Sequence, residues 1–371
     1  MYIETIKIEI DGQEIDDLYE DITSVEVELD AELPAMFRLR LPIGQDPDGT
    51  WTFLDDPRLR AWGAVRISAG LDGDLEPLIS GRITHIRPSF DPDPTLCLLD
   101  IWGIDGSVLL DREDKLKDWP NKKDSDIAGE IFGEYGMSSV VDDTDVVHDD
   151  AVSTVIQRET DWQLLNRLAR RNGFECFVEG NTGYFRRPRL DRQPQALLAV
   201  HFGDETNVNS FSLEVNALTP TQVAMAQVER GAREIVSVTV DSTDEKSLGA
   251  DGPAVRAGVK PSLVVLGQTT TTGLAEMTDL CRGLFDQQSW FVTGQGEIAA
   301  NELGVVLKPR RTVTIKGIGE TYSGVYLVSH VTHAFSSDGY LQSFEVQRNA
   351  LMPDGSEQFS GDSGGLLGGL I

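Results

Sequence analysis

At 371 residues the chain has room for two to three domains, each large enough to bury a core. Its 61 acidic and 32 basic residues give a formal charge of −29, which repels nucleic acid and anionic membrane surfaces and argues against sequence-specific DNA recognition. Cys97, Cys176 and Cys281 are odd in number, widely spaced and set among apolar neighbours, so they read as reduced core residues of a protein made in a reducing compartment. The Met1-Tyr2-Ile3-Glu4-Thr5 start has no basic, apolar leader and no apolar run approaches a membrane span, so neither a cleaved export signal nor a membrane-spanning helix is expected.

Residues 1–105 read as consecutive strands. Ile6, Ile8 and Ile10 alternate with charged residues up to an Asp11-Gly12 turn, Val25, Val27 and Leu29 alternate with Glu26 and Glu28, and Phe37, Leu39 and Leu41 follow Pro34. Beyond the turn-rich Asp46-Pro47-Asp48-Gly49, the stretches 64–70, 78–86 and 96–101 continue the series. Many short strands and almost no helix predict a small antiparallel barrel or sandwich.

Residues 106–200 shift to mixed α and β. The stretch 125–136 is a capped amphipathic helix with Ile127, Ile131 and Tyr135 on one side and Gly136 at its end. An acidic loop, 140–150, precedes the most strongly specified element of the chain, a helix over 161–172. There Thr160 caps the first turn while Gln163 reaches back to its amide, and Asp161 complements the positive helix end. Trp162, Leu165, Leu168 and Ala169 form one apolar stripe and Gly173 ends the helix. The period then drops to two, with Phe174, Cys176 and Val178 facing one way and Glu175 and Glu179 the other.

Residues 201–350 return to strands at 211–215, 223–228, 235–240, 312–317, 325–331 and 341–348. One inserted helix spans about 274–288, capped by Thr272 or Gly273, with Met277, Leu280, Cys281, Leu284 and Phe285 on its buried side. The final stretch, 351–371, is rich in Gly, Ser and Leu and is expected to be mobile.

Two segments 245 positions apart align without a gap. Ile83-Thr84-His85-Ile86, then Phe90, Asp93, Leu96 and Asp100-Ile101, correspond to Val328-Ser329-His330-Val331, then Phe335, Asp338, Leu341 and Glu345-Val346. Each is a predicted hairpin, and chance alternation competes with duplication as the cause. The helix closed by Asn172-Gly173 and followed by an aromatic-rich strand resembles a signature of the late control protein D and VgrG hub family, baseplate proteins of contractile phage tails and related injection machines. The resemblance extends to Gly81-Arg82-Ile83-Thr84, the Asp124-Ser125-Asp126-Ile127-Ala128 helix start, and the closing block running from Gly317-Ile318-Gly319-Glu320-Thr321-Tyr322 through Val331-Thr332-His333 to Arg348-Asn349-Ala350. It spans nearly the whole chain up to Ala350. It implies a mainly β fold with α+β insertions, two related antiparallel β-barrel domains per chain, and assembly as a homotrimeric ring. Unlike VgrG, the chain has no following oligosaccharide-fold domain or β-helix, so it is not expected to be the piercing tip itself.

Chemistry is sparse. Gly361-Asp362-Ser363-Gly364-Gly365 matches the surroundings of a trypsin-like nucleophile, but only six residues follow it, and none of His85, His148, His201, His330 and His333 has the setting of the catalytic base. Hydrolysis through Ser363 therefore stands as the disfavoured alternative, beside a secreted carbohydrate-binding β-protein. His330 and His333 lie three apart on a strand and face opposite sides, so they do not form a metal pair. The loop at Asp142–Asp150 lacks the glycine and terminal glutamate of a helix-loop-helix calcium site. No catalytic, metal or cofactor residue is expected. The reading is a structural baseplate hub, made in the bacterial cytoplasm and incorporated into a phage tail or phage-tail-like particle. Its expected partners are the inner tail tube protein, a separate trimeric spike and wedge proteins, with Leu366, Leu367, Leu370 and Ile371 as the spike contact.

Overall fold

The computed structural model describes residues 2–229, 233–252, 260–267 and 271–359. The chain is mainly β. The first unit comprises β1 (Glu4–Ile10), β2 (Gln13–Glu14), β3 (Ser24–Asp30), β4 (Met36–Pro42), β5 (Ala64–Leu71), β6 (Asp74–Ser89) and β7 (Leu98–Asp105). Asp11 and Gly12, at φ 48° and 81°, make the turn between β1 and β2. Burial alternates residue by residue along β3, β4 and β7, as the period-two apolar pattern demands. Val27, Leu39, Ile67, Ile83 and Ile101 meet in one core.

The middle of the chain holds β8 (Lys115–Trp119), α1 (Asp124–Glu134), β9 (Ser138–Val141), β10 (Val155–Glu159), α2 (Asp161–Asn172), β11 (Glu175–Glu179) and β12 (Thr182–Arg186). Trp162, Leu165 and Leu168 of α2 pack with Ile127, Ile131 and Phe132 of α1 against Trp119, Cys176 and Phe185. The helix α1 begins at Asp124, with Lys123 as its cap residue and the Lys123 amide donating to Asp126 Oδ2 at 3.2 Å.

The last part runs through β13 (Leu197–Ala199), β14 (Ser210–Val215), β15 (Gln222–Val228), β16 (Ile235–Val240), β17 (Leu263–Leu266), α3 (Leu274–Gln288), β18 (Val292–Ala299), α4 (Ala300–Leu303), β19 (Thr312–Lys316), β20 (Gly324–Ser336) and β21 (Gly339–Arg348). The helix predicted at 274–288 has those bounds, with Met277, Cys281 and Phe285 buried. It is not inserted alone. β15, β16 and β17 form a three-stranded sheet of their own that packs on α3.

The strands of the two β units are joined into one 13-stranded sheet of order β14-β18-β21-β20-β3-β4-β7-β6-β5-β1-β2, with β19 and β13 branching from β20. Among the described residues neither unit closes into a barrel; each is an open sheet, because β3 uses its second edge to pair with β20 instead of returning to β1. The two units repeat one connectivity. In the first, β3-β4-β7-β6-β5-β1 are neighbours; in the second, β14-β18-β21-β20-β19-β13 are neighbours, each strand taking the place of its counterpart in chain order. One difference stands: β1 runs antiparallel to β5, whereas β13 runs parallel to β19.

Candidate functional site: the seam between two like sheets

The seam is built on β20, which serves two partners along one edge. Its first residues pair with β19, from Leu327 opposite Thr312 to Gly324 opposite Ile315. An extra residue at Ser329 then shifts the register, and the rest of the strand pairs with β3, from His330 opposite Asp30 to Ser336 opposite Ser24. A bulge bends and twists a strand locally, so it lets one strand leave one neighbour and join another. β6 carries the same irregularity between Ile83 and His85, 245 positions earlier. The echo read from the sequence is thus a pair of long strands with a bulge at the same step.

The return strands do not keep that alignment. His85 lies opposite Trp102, whereas His330 lies opposite Glu345, the counterpart of Asp100 in the gapless alignment. The slip of two follows from unequal turns: residues 90–97 link β6 to β7, while only Ser337 and Asp338 link β20 to β21. For the same reason Phe90 and Phe335 are not equivalent in structure. Phe90 is exposed in the loop with its ring edge-on to Trp51 at 4.8 Å, and Phe335 is within β20, stacked on Tyr340 at 4.0 Å.

Polar contacts lock the seam. His330 Nδ1 lies 3.0 Å from Asp30 Oδ2 and its Nε2 lies 3.1 Å from Thr332 Oγ1. The bond to Asp30 raises the His330 pKa. Burial works against ionisation of Asp30, but bonds from His330 and from the Glu32 and Leu33 amides outweigh it and hold the carboxylate below its ordinary range. The half-buried Arg310 donates through its guanidinium to the Asp30 carbonyl and lies 3.7 Å over the Phe177 ring, tying the seam to β11. Farther along, His333 is fully buried and bonds through Nδ1 to Tyr340 Oη at 2.7 Å; burial pushes its pKa down to about 3, so the ring is neutral. Tyr340 belongs to the core of the first unit, and its amide donates to Glu4 Oε2 at 3.0 Å. The tip of the β20–β21 hairpin is therefore part of the other unit's interior. His85, the counterpart of His330, is exposed, and its Nδ1 lies 3.0 Å from Thr84 Oγ1.

The helix motif has the expected ends and a different interior role. Thr160 Oγ1 accepts the Gln163 amide at 3.2 Å, and Gly173 adopts φ 67°. Gln163 is exposed and its side chain does not complete the reciprocal half of a capping box; solvated, it has nothing to gain from folding back. Asp161 is not a surface charge at the helix end. It is 1% exposed and accepts from Tyr135 Oη at 2.8 Å, Gln157 Nε2 at 2.8 Å and Lys115 Nζ, which fixes α2 to β8 and β10. The strand after the helix is buried on both faces: Phe177 stacks on Tyr184 at 4.5 Å, and Glu175 lies beside Arg186 Nε at 3.4 Å.

Sequence reasoning missed one cluster. The loop at 142–150 is docked, with Thr144 and His148 buried. His148 Nε2 sits 2.8 Å from Asp124 Oδ1 and its Nδ1 3.6 Å from Glu276 Oε1; Arg171 also pairs with Glu276, and Asn172 Nδ2 donates to Asp124 Oδ2 at 2.7 Å. Burial disfavours charge on His148, but its two carboxylate partners prevail and hold its pKa up at about 9. Glu276 is likewise opposed by burial yet drawn down to about 2 by His148, the Thr272 amide and Arg171. This network pins α1, α2 and α3 together. Among the described residues no group of three or more His, Cys, Asp or Glu is placed to hold a metal ion, and no helix is long and apolar enough to cross a membrane. Ser363 and the residues Leu366, Leu367, Leu370 and Ile371 lie outside the described residues.

The fold is similar to that of solved phage tail proteins. The structure superposes with a TM-score of 0.67 on the 43 kDa tail protein of prophage MuSo2 from Shewanella oneidensis, at 15% identity over 94% of this chain and 100% of that one. A tail protein from Neisseria meningitidis MC58 gives 0.67 at 13% identity, covering 95% and 98%. The Escherichia coli c3393 protein, a component of the type VI secretion system, gives 0.54 at 11% identity, covering 95% and 79%. In sequence, the chain belongs to the Alg8 N-terminal domain family, which matches residues 2–337. No curated protein matches it.

Proposed function

We propose that the chain is the structural baseplate hub of a contractile injection machine, a homotrimer that adapts a sixfold inner tail tube to a threefold spike. The observation that carries this reading is the repeated strand order, β3-β4-β7-β6-β5 against β14-β18-β21-β20-β19, within one polypeptide. A closed interface repeats with the symmetry of its ring, so a sixfold tube does not dock evenly on three identical surfaces. Three chains that each carry two like units offer six. The likeness to tail proteins supports a place in a tail or tail-like particle; in this reading the chain is made in the bacterial cytoplasm and flanked by wedge proteins. In this reading residues 1–105 and 201–350 are the paired modules, 106–200 buttresses them, and 351–371 reaches the spike through Leu366, Leu367, Leu370 and Ile371.

Reconstitution with the inner tube protein and the trimeric spike tests the reading. A ternary complex holding three hub chains per spike is expected, and removing the last six residues should weaken spike capture while leaving the tube contact intact. A chain that binds neither partner overturns the proposal.

A further inference from the structure

The internal seam leaves two edges that match each other. In β20 the residues after the bulge pair with β3. In β6 the corresponding residues, His85 to Ser89, pair with β7 on one side and, among the described residues, with no strand on the other, and all five are exposed. The counterpart of β3 is β14, the terminal strand of the sheet, which among the described residues pairs only with β18. Each chain thus holds one vacant β6 edge and one vacant β14 edge, and the β20–β3 contact shows how such edges fit.

We infer that β14 of one copy of this chain pairs antiparallel with the His85–Ser89 edge of β6 in a second copy, repeating between chains the contact that β3 makes with β20 within one. This rests on the trimeric reading above and names its interface. Register transfers strand by strand: Phe37 opposite Gly103 corresponds to Gly294 opposite Val346, and Val27 opposite Phe37 to Leu213 opposite Gly294. Thr332 opposite Glu28 then becomes Arg87 opposite Glu214, and Val331 opposite Leu29 becomes Ile86 opposite Val215. The first of these pairs opposite charges. The second covers two apolar side chains that are now 37% and 38% exposed. Cross-strand pairs of both kinds stabilise a ladder. Pro88 takes the place of His333 and brings an acceptor without a donor, so this ladder is one bond shorter than the internal one. An edge that carries Pro and Arg is guarded against promiscuous pairing, and it admits a strand that supplies a carboxylate opposite the arginine.

The Ala31 amide donates to the Ser329 carbonyl at 2.8 Å, which makes His330 and Asp30 a non-hydrogen-bonded pair, and by alternation Thr332 and Glu28 as well. Such pairs bring Cα atoms to roughly 4.5 Å, within disulfide range. The test is the full-length chain carrying Arg87→Cys and Glu214→Cys, oxidised and run on a non-reducing gel, with particle mass read before oxidation. Covalently linked chains closing at three are expected. Neither single variant should link alone, and an equimolar mixture of the two should give linked pairs. A wild-type trimer whose double-cysteine form stays unlinked overturns this pairing and leaves the trimeric reading standing; a wild-type chain that is not a trimer sinks that reading. Should the cysteines disturb folding, Arg87→Glu is expected to reduce trimer formation at least tenfold and Glu214→Arg to restore it, and no effect of either change contradicts the interface.

Discussion

His148 is the residue whose titration the fold depends on most visibly. Its folded pKa of about 9 lies above the ordinary value of 6.5, so its contribution to stability is complete below pH 6.5 and is lost as pH rises toward 9. Glu276, at about 2, contributes above its ordinary value of 4.5 and loses that contribution as pH falls toward 2. Burial raises Asp286 to about 6 and Glu245 to about 8, and both therefore cost stability as pH climbs from the acid side. Comparing wild type with His148→Gln removes those shared contributions. The variant is expected to be less stable by about 3 kcal/mol at pH 6 in urea denaturation, as for a broken buried ion pair, with the gap shrinking toward pH 10. A gap independent of pH would show that His148 acts by packing alone. No local pattern announces this cluster, since Asp124, His148, Arg171 and Glu276 come from four separate segments and each looks like a surface charge.

At the scale of elements, glycine separates two opposite outcomes. Where α2 meets α3, a Cβ on Gly283 would lie 2.6 Å from the Arg171 carbonyl oxygen, closer than side chains tolerate. Gly129, within α1, has nothing within 4 Å of its Cβ position. Gly129→Ala should therefore raise stability by roughly 1 kcal/mol, the usual helix-interior gain, while Gly283→Ala should lower it despite the same propensity. Thermal melts of the two variants decide the matter, and a stabilised Gly283→Ala would mean that the helices do not approach so closely. At the hairpin tip, Tyr340→Phe removes the partner of the buried His333 ring and is expected to cost about 2 kcal/mol with an unchanged circular dichroism spectrum.

The elements themselves were largely legible. Alternation around Val27, Leu39 and Ile101 marked strands, and Thr160 with Gly173 marked both ends of α2, because these signals are local. What alternation does not say is which sheet a strand joins. Val223 and Met225 alternate as cleanly as Val25 and Val27, yet β15 packs on α3 away from the main sheet. The two-residue slip of β21 was hidden for a similar reason: a gapless alignment assumes equal turns, and the turns at 90–97 and 337–338 differ in length.

For the whole molecule, the informative feature is the reuse of one strand order on both sides of a shared seam. Separate barrels were expected from the sequence; the units are open sheets instead, because the second edge of β3 is spent on β20. An open sheet leaves the edges that the proposed pairing between copies needs, since a closed barrel has no edge to offer. Particle symmetry is the property that the proposed trimer predicts most directly. Single-particle electron cryomicroscopy of the purified protein tests it: a ring of three chains showing six similar lobes is expected, with alternate lobes distinguished by the β15–β17 insertion. A ring of six chains with one lobe each, or a particle with any axis other than a threefold, would contradict it.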